Sequence, residues 1–350
     1  QANKINNQLL KIRKIKPYQK KNMMGLISGT TSLEGFRQSD IVIEAVVEDM
    51  AIKKAVFEDL ESAVREDTIL ASNTSSLAIT EMASGLQHPE RFLGLHFFSP
   101  VNRMPLVEVI PGEHTNPNTV FQVVKFAQRC GKLPIVVQDC PGFLVNRILL
   151  PYINEAIRLF LEGHDVLAID KEMERFGMPI GPLALLDEVG FDVGLKVSRS
   201  LINGYGDRMC LADGLSEWVH DYKILGKKSG RGFYIYEGKN KSLNSDLNSF
   251  VNRSVTQPVD LSACLDRMVL IMVNEAARCL DEKVVASPEL LDMAMVLGTG
   301  FPPFLGGLCR YADQRGMDDI YRRLQQFQGD FGDRFEVAPL LETLYKTKGS

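Results

Sequence analysis

The chain has 350 residues, of which 45% are hydrophobic and 24% are charged, so it can bury a large core and is expected to form two or three domains. A formal net charge of −4 and a pI near 5.9 provide no global attraction to nucleic acid or to an anionic membrane. No apolar run approaches the roughly 20 residues that a membrane-spanning helix requires. The composition therefore predicts a globular protein with no nucleic-acid partner and no strong membrane signal.

The six cysteines are widely spaced and form no C-x-x-C pair, which predicts neither a disulfide framework nor a metal site. Residues 1–7 lack the apolar core of a signal peptide, and the missing initiator Met predicts a cut or processed end. These features favour a reducing compartment, which would be the cytoplasm of a bacterium or the mitochondrion or peroxisome of a eukaryote.

The first third of the chain alternates between strand and helix patterns. Residues 41–48 and 68–72 are short apolar runs typical of strands, and residues 51–64 between them have apolar side chains at helical spacing. This alternation predicts a parallel, doubly wound sheet that ends near Asp139. Further strands are expected at residues 92–98, 106–110 and 133–137, with a helix over 116–130.

A long helical pattern follows Pro141, and the sequence then repeats it. Asn146–Arg158 is echoed 120 residues later by Asp266–Arg278. The echo predicts two copies of one helical unit, which should pack together because each copy alone leaves an apolar face exposed. The shorter matching segments are Asp170–Met173 with Asp292–Met295, and Gly177–Pro179 with Gly300–Pro302.

The polar segment from Lys239 to Pro258 is rich in Asn and Ser and is typical of a linker between the two copies. The alternative is a long surface loop within one all-helical domain.

His96 and Glu108 are the first candidates for chemistry, since both lie in apolar runs. His96 alone fits either a buried histidine bound to a backbone carbonyl or a general base. A carboxylate buried in a strand is costly unless it is paired, and an imidazole could be its partner. Such a pair fixes the tautomer of the histidine and raises its basicity, so Glu108 is predicted to orient His96.

Ser75 lies within five small polar residues that directly follow a strand. Thr74 or Ser76 could cap the helix expected near Ala78, whereas Ser75 could bind a ligand at the carboxyl end of a parallel strand. Asn146 fits either a helix-start residue or an amide that reaches back into a site between the domains.

Five motifs occur together in this chain: Glu44-Ala-Val-Val-Glu48, Ser72-Asn-Thr-Ser-Ser76, Gly94-Leu-His-Phe-Phe-Ser-Pro100, Cys140-Pro-Gly-Phe-Leu-Val-Asn-Arg147 and Gly226-Lys-Lys-Ser-Gly-Arg-Gly-Phe-Tyr234. Together they resemble the L-3-hydroxyacyl-CoA dehydrogenases. The duplicated helical unit and Gly300-Phe-Pro-Pro-Phe304 narrow the resemblance to the dehydrogenase half of multifunctional α-subunits, which also carry an enoyl-CoA hydratase, of the fatty-acid β-oxidation complex. The resemblance spans the chain from about Leu9 to its end.

The resemblance implies an α/β plus all-α protein with an incomplete Rossmann-type doubly wound sheet and two homologous helical domains. The implied boundaries are 1–139 for a partial NAD-binding domain, 140–240 and 260–350 for the helical domains, and 241–259 for a linker. The first strand, the Gly-rich loop and the second strand of the family pattern are missing, and the chain contains no G-x-G-x-x-G. A strand near residues 27–31 should then lose its neighbour, residues 41–47 should form a bare edge, and NAD binding should be weak.

The resemblance also implies roles for individual residues. His96 is the base, Glu108 holds it, and Ser75 and Asn146 orient the substrate. Contacts to NAD are implied for Val46, Val47, Glu48, Lys53, Ser75, Ser99 and Lys228. For Lys53 and Lys228 the alternative is a solvated charge, and Ser99 stands where single-function members carry Asn.

The implied activity is the reversible NAD-dependent oxidation of L-3-hydroxyacyl-CoA to 3-oxoacyl-CoA, with acyl-CoA substrates and a thiolase β subunit as partner. One alternative is a catalytically inert fragment that keeps a thiolase-docking helical surface. Another is a structural relative such as a lens-protein-like cousin, which the helical duplication disfavours. The basic stretch Lys11–Lys21 could attract CoA phosphates, or it could be the solvated face of a helix with Leu9, Ile12 and Ile15 turned inward.

Overall fold

The structure, a computed structural model, describes residues 1–238, 240–251 and 261–348. These residues form a five-stranded sheet with flanking helices, followed by a helical body with a small hairpin. The strands are β1 (Ile41–Glu44), β2 (Ile69–Ser72), β3 (Phe92–Phe97), β4 (Leu106–Pro111), β5 (Leu133–Val136), β6 (Tyr234–Glu237) and β7 (Asn240–Leu243). The α-helices are α1 (Ala2–Lys11), α2 (Pro17–Gly25), α3 (Met50–Ala63), α4 (Ile79–Ala83), α5 (Pro117–Arg129), α6 (Val145–Leu161), α7 (Val166–Phe176), α8 (Pro182–Val189), α9 (Phe191–Tyr205), α10 (Leu215–His220), α11 (Leu261–Asp281), α12 (Pro288–Thr299), α13 (Leu308–Arg315), α14 (Met317–Phe331) and α15 (Pro339–Lys348).

The strand order in the large sheet is β1-β2-β3-β4-β5. All neighbouring pairs are parallel except β3 and β4, which are antiparallel. Only residues 98–105 join β3 to β4, which is too short for the crossover that a parallel pair needs. The sheet is therefore parallel apart from this one pair. The strands predicted within residues 41–48, 68–72, 92–98, 106–110 and 133–137 are confirmed.

The amino-terminal side of the sheet differs in part from the prediction. Strand β1 pairs only with β2 and is an edge strand, as expected. The strand predicted near residues 27–31 is wrong, because this segment has no strand structure and Leu26 and Ile27 are 87% and 55% exposed. A strand needs a neighbour for its backbone hydrogen bonds, and no described strand lies beside this segment.

The basic amino-terminal stretch forms two short helices, α1 and α2, rather than one. Arg13 has a φ of 58°, which ends the first helix, and Pro17 begins the second. Ile12 is 62% exposed, so the expectation that it turns inward is wrong. Leu9 and Ile15 are partly buried.

The helical body is built from two repeats, which we call the first repeat (from α6 to β7) and the second repeat (from α11 to α15). In the first repeat the carboxylate of Asp170 on α7 accepts hydrogen bonds from the N–H groups of Leu183 and Ala184 at the start of α8. Asp292 on α12 caps α13 in the same way. The predicted duplication is therefore present in local structure as well as in sequence.

The two repeats pack together along α6 and α11, as the sequence predicts for surfaces that are apolar when alone. Each long helix also presents one buried arginine to two glutamates of the other repeat. These reciprocal ion pairs join Arg147 to Glu275 and Glu282, and Arg267 to Glu155 and Glu162.

The first part of the predicted linker is ordered into elements. Strand β7 pairs antiparallel with β6, and residues 245–250 form a 3₁₀ helix. Polar composition concealed this hairpin, because all four side chains of β7 are exposed. Residues 252–260 lie outside the described residues.

None of the described helices has the length and apolar character needed to cross a bilayer. Within the described ranges there is also no group of three or more His, Cys, Asp or Glu side chains that could hold a metal ion.

Candidate active site

The centre of the candidate site is the predicted pair of His96 and Glu108. The antiparallel register of β3 and β4 places these two residues directly opposite each other. The distance from His96 Nδ1 to Glu108 Oε2 is 2.7 Å, and the two residues are 6% and 0% exposed. The interpretation of His96 as a histidine bound to a backbone carbonyl is wrong, because a carboxylate is its partner.

The other oxygen of Glu108 is held by the start of a helix. Glu108 Oε1 accepts hydrogen bonds from the N–H groups of Leu144 (3.1 Å) and Val145 (3.0 Å), where α6 begins. A helix N-terminus favours a negative charge, so it stabilises the carboxylate as an acceptor. A carboxylate can only accept, so in the neutral imidazole the proton is on Nδ1, facing Glu108, and the lone pair is on Nε2.

Asn146 connects the helical body to the sheet. Its side-chain amide donates to the backbone carbonyl of Ser75 at 3.1 Å. Of the two roles left open for Asn146, the structure therefore supports the amide that reaches back across the domain boundary. Ser75 itself is half-buried, and its N–H and hydroxyl donate to Glu48 Oε1 at 2.9 and 3.2 Å.

The polar loop after β2 does not cap α4, so that expectation is wrong. The N–H groups of Ile79 and Thr80 are capped by the carboxylate of Asp139, at 2.9 and 2.7 Å. Thr74 instead accepts from the N–H groups of Ser76 and Leu77 and closes a turn within the loop.

A buried charge network lies at the carboxyl end of β1. Lys53 is 1% exposed and lies 2.7 Å from Glu44 and 3.3 Å from Glu48, so the alternative of a solvated charge is wrong for this residue. Burial alone would raise the pKa of Glu48, but hydrogen bonds from Thr74 and Ser75 and the charge of Lys53 hold it below its ordinary value. Glu48 is therefore a fixed anion beside the loop that carries Ser75.

The remaining predicted cofactor residues occupy two different places. Val46 and Val47 follow β1 and are 44% and 62% exposed, and Ser99 is exposed just beyond β3. Lys228 lies in a 3₁₀ turn of the first repeat, half exposed, with Nζ paired to Asp192. This position agrees with the alternative of a solvated charge, and its contact with NAD stays a prediction.

Sequence reasoning missed several residues that hold this site. Thr74 donates to Glu48 at 2.6 Å, and Asn73 accepts from the N–H of Phe97 at 2.9 Å, which ties the polar loop to the end of β3. Both lie within the polar run that follows β2, in which Thr74 was predicted only as a possible helix cap. Arg147 belongs to the motif Cys140–Arg147, but the motif alone predicts no separate role for it.

The loops after the parallel strands β1, β2 and β3 thus meet at one edge of the sheet, where open α/β sheets bind their ligands. An imidazole held by a carboxylate lies at this edge, against the helical body, and its Nε2 has no hydrogen-bond partner among the described residues. This combination defines an α/β domain equipped for proton transfer, the arrangement expected of a nucleotide-dependent dehydrogenase.

Comparison with protein families identifies the class more closely. Residues 1–140 match the NAD-binding domain of 3-hydroxyacyl-CoA dehydrogenase. Residues 142–236 and 264–349 each match the C-terminal domain of the same enzyme. The chain therefore belongs to the 3-hydroxyacyl-CoA dehydrogenase family, and the two C-terminal matches coincide with the two repeats.

Individual relatives agree with this assignment. The chain is 44% identical to the fatty acid oxidation complex subunit alpha of Shewanella sp. (strain ANA-3) over 355 residues, covering 99% of this chain and 50% of the relative. It superposes on the 3-hydroxybutyryl-CoA dehydrogenase of Escherichia coli K12 with a TM-score of 0.85 at 25% identity, covering 100% of this chain and 90% of the other. For the dehydrogenase part of multifunctional enzyme 1 from C. elegans the TM-score is 0.67 at 29% identity, covering 97% and 79%. The chain spans about half the length of the curated relatives it matches.

Proposed function

We propose that the protein catalyses the reversible NAD-dependent oxidation of L-3-hydroxyacyl-CoA to 3-oxoacyl-CoA in fatty-acid β-oxidation. The observation that carries this proposal is the 2.7 Å contact between His96 and Glu108, whose far oxygen is bound by the N-terminus of α6. Membership of the family and similarity to fatty acid oxidation subunits support the substrate class.

His96 is the proton acceptor in this proposal. Its Nε2 takes the proton of the substrate 3-hydroxyl, which makes the imidazole positively charged. Glu108 stabilises that charge through Nδ1 and keeps the ring in one orientation, as the acid of a catalytic triad does. In the reverse direction the same Nε2 returns the proton to the 3-oxo oxygen.

Two neighbouring groups orient the substrate in this scheme. Asn146 and Ser75 lie on opposite sides of the domain boundary and are joined by a hydrogen bond. The Phe98 and Phe143 rings lie 4.6 and 6.0 Å from the imidazole, centroid to centroid, and limit the access of water. Because little water enters, the local dielectric constant is low, and this strengthens the attraction between the charged His96 and Glu108.

The residues at the carboxyl end of β1 fit an NAD molecule. Val46 and Val47 offer exposed apolar surface for a flat ring, and Glu48 and Lys53 provide fixed charges beside it. NAD, when bound, supplies the acceptor for the hydride from C3 of the substrate. The weak affinity expected from the lack of G-x-G-x-x-G stays a prediction, which titration with NADH beside an intact homologue tests.

A thiolase β subunit, which the family resemblance implies, is the proposed partner. Similarity to the alpha subunit of a fatty acid oxidation complex supports assembly with another subunit. The cytoplasm of a bacterium is the proposed location, because the relatives described above include a bacterial fatty acid oxidation subunit. Co-purification of the chain with a thiolase subunit, compared with the same chain lacking the second repeat, tests the partner.

The direct test of the activity is oxidation of NADH with acetoacetyl-CoA as substrate. His96→Ala should lower kcat by roughly 10²–10⁴-fold, the usual contribution of a positioned general base. His88→Ala is the control, since the side chain of His88 is 41% exposed and its Nδ1 lies 3.1 Å from Glu90, outside the candidate site. Equal activity of the wild type and His96→Ala would refute the assignment of the base.

A further inference from the structure

The first turn of α6 holds the site through consecutive residues. Val145 donates its N–H to Glu108, and Asn146 donates its side chain to Ser75. The next residue, Arg147, has a side chain that is 0% exposed, and it contacts neither Glu108 nor Ser75 by hydrogen bonds. The orientation of the Arg147 side chain is therefore set by the groups that bind its guanidinium.

The guanidinium of Arg147 is bound by the second repeat. Nε lies 2.6 Å from Glu275 Oε1, and the two terminal nitrogens lie 2.6 and 2.8 Å from the two oxygens of Glu282. The planar group also stacks on the ring of Tyr205 at 4.1 Å. A bidentate pair of this kind fixes orientation as well as distance, because both parallel hydrogen bonds must be kept.

A second set of contacts ties the segment after Glu282 to the sheet. The N–H of Gln138 donates to the carbonyl of Val284 at 2.8 Å, and Val137 forms an antiparallel bridge with Val285. Gly298 on α12 packs so closely that a Cβ there would meet Val145 at 3.2 Å. The second repeat is thus in contact with the end of the sheet and with the start of α6.

We propose that Arg147 is a positioning residue for the dehydrogenase site, which the second repeat holds in place through Glu282 and Glu275. The chain of contacts runs from Glu282 to Arg147, through the first turn of α6, to the N–H groups that hold Glu108 and so to His96. The identity of the reaction rests on the proposed function, whereas the positioning of His96 by Arg147 rests on these contacts. The second repeat then contributes to catalysis without touching substrate.

The pseudo-symmetry of the repeats supplies an internal control. Arg267 on α11 is 5% exposed in its side chain, binds Glu155 and Glu162 of the first repeat, and stacks on the Phe331 ring at 3.8 Å. It is therefore similar to Arg147 in burial, partners and ring contact. The residue before it, Asp266, pairs with arginines of its own repeat and reaches no part of the candidate site.

The experiment compares Glu282→Gln with Glu162→Gln in the full chain. These two carboxylates are matched, since each binds its arginine bidentately and their side chains are 46% and 32% exposed. Both variants should lower the thermal midpoint by a similar, small amount. Glu282→Gln should in addition lower kcat about tenfold with little change in KM, because small misplacements of reacting groups are costly. Glu162→Gln should keep the kcat of the wild type, and Glu282→Asp should recover part of the loss.

A second measurement is independent of turnover. The Nδ1–H of His96, bonded to Glu108, should give a low-field proton resonance in ¹⁵N-histidine-labelled protein, assigned by its loss in His96→Gln. This resonance should broaden or shift in Glu282→Gln and remain unchanged in Glu162→Gln. Equal spectra for the two variants would overturn the positioning role even if the protein has no dehydrogenase activity, and equal loss of kcat in both variants would show a merely structural effect.

Discussion

The two repeats share their packing and differ in what the start of the long helix does. Asn146 opens α6 with an amide that donates to Ser75 in the sheet domain. The equivalent position in α11 is Asp266, whose carboxylate binds Arg315 and Arg323 within its own repeat. At this position the first repeat has an amide, which reaches the site, and the second repeat has a carboxylate of nearly equal size, which binds within its own repeat.

The repeats also differ at one carboxylate, which a hairpin buries in the first repeat only. The β6–β7 hairpin of the first repeat places the N–H groups of Phe233 and Tyr234 on Asp187 on α8, which is 1% exposed. Its counterpart on α13, Asp313, is exposed. The first repeat therefore has a buried carboxylate where the equivalent carboxylate of the second repeat is exposed.

The largest expected effect concerns the pH dependence of stability at Asp187. Burial raises the pKa of Asp187 from 3.8 to about 6, although its hydrogen bonds act in the opposite direction. The folded state therefore binds the proton more tightly than the unfolded chain. The resulting stabilisation is complete below about pH 3.8 and is lost as the pH rises through about 6. It amounts to roughly 3 kcal/mol at most, since one pH unit of separation is worth about 1.4 kcal/mol.

Asp187→Asn should remove this dependence. The difference in unfolding free energy between wild type and variant, measured by urea denaturation from pH 4 to 7, should fall as the pH rises. Asp313→Asn is the control and should give a constant difference, because an exposed carboxylate has nearly the same pKa in both states. A constant difference for Asp187→Asn as well would contradict the buried, proton-binding carboxylate.

Local patterns explain why much of the site was predictable. Buried charges need partners, so a glutamate and a histidine in two apolar runs could be paired before their geometry was known. The repeats could be predicted because both copies must bury the same helix face, so their sequences still resemble each other. Both predictions depend on side-chain type and spacing alone.

The remaining features depend on contacts between distant segments. Asp139 caps α4 from 60 residues away, and nothing in the sequence around Ile79 indicates it. Lys53 lies on the buried face of α3 with Phe57 and Leu60. Glu44 and Glu48 pair with it there, and a contact with these two carboxylates is not indicated by the sequence of the helix itself. The antiparallel direction of β4 is different, because it follows from the short connection after β3 and is therefore predictable from the sequence.

The next effect in size concerns two equivalent asparagines that the repeats share. Asn154 donates to the carbonyl of Cys210 and accepts from the N–H of Ala212, and Asn274 does the same with Glu336 and Ala338. Replacement of either by Ala should destabilise the protein by roughly 2 kcal/mol, since two hydrogen bonds of about 1 kcal/mol each are lost. Thermal unfolding of both variants measures this. Clearly unequal losses would show that the two repeats do not share this support.

The smallest expected effect comes from exchanging the residue at which the two repeats differ, Asn146 in the first and Asp266 in the second. This exchange tests the difference between the repeats most directly. Asn146→Asp replaces a donor to the Ser75 carbonyl by an acceptor, so two oxygens would face each other at the domain boundary. We expect kcat with acetoacetyl-CoA to fall about tenfold, the value of roughly one hydrogen bond, with a small loss of stability. Asp266→Asn weakens the ion pairs with Arg315 and Arg323 and should lower the thermal midpoint without changing kcat. If Asp266→Asn lowered kcat as much as Asn146→Asp, the position would act through packing in both repeats, and its special role in the first repeat would be refuted.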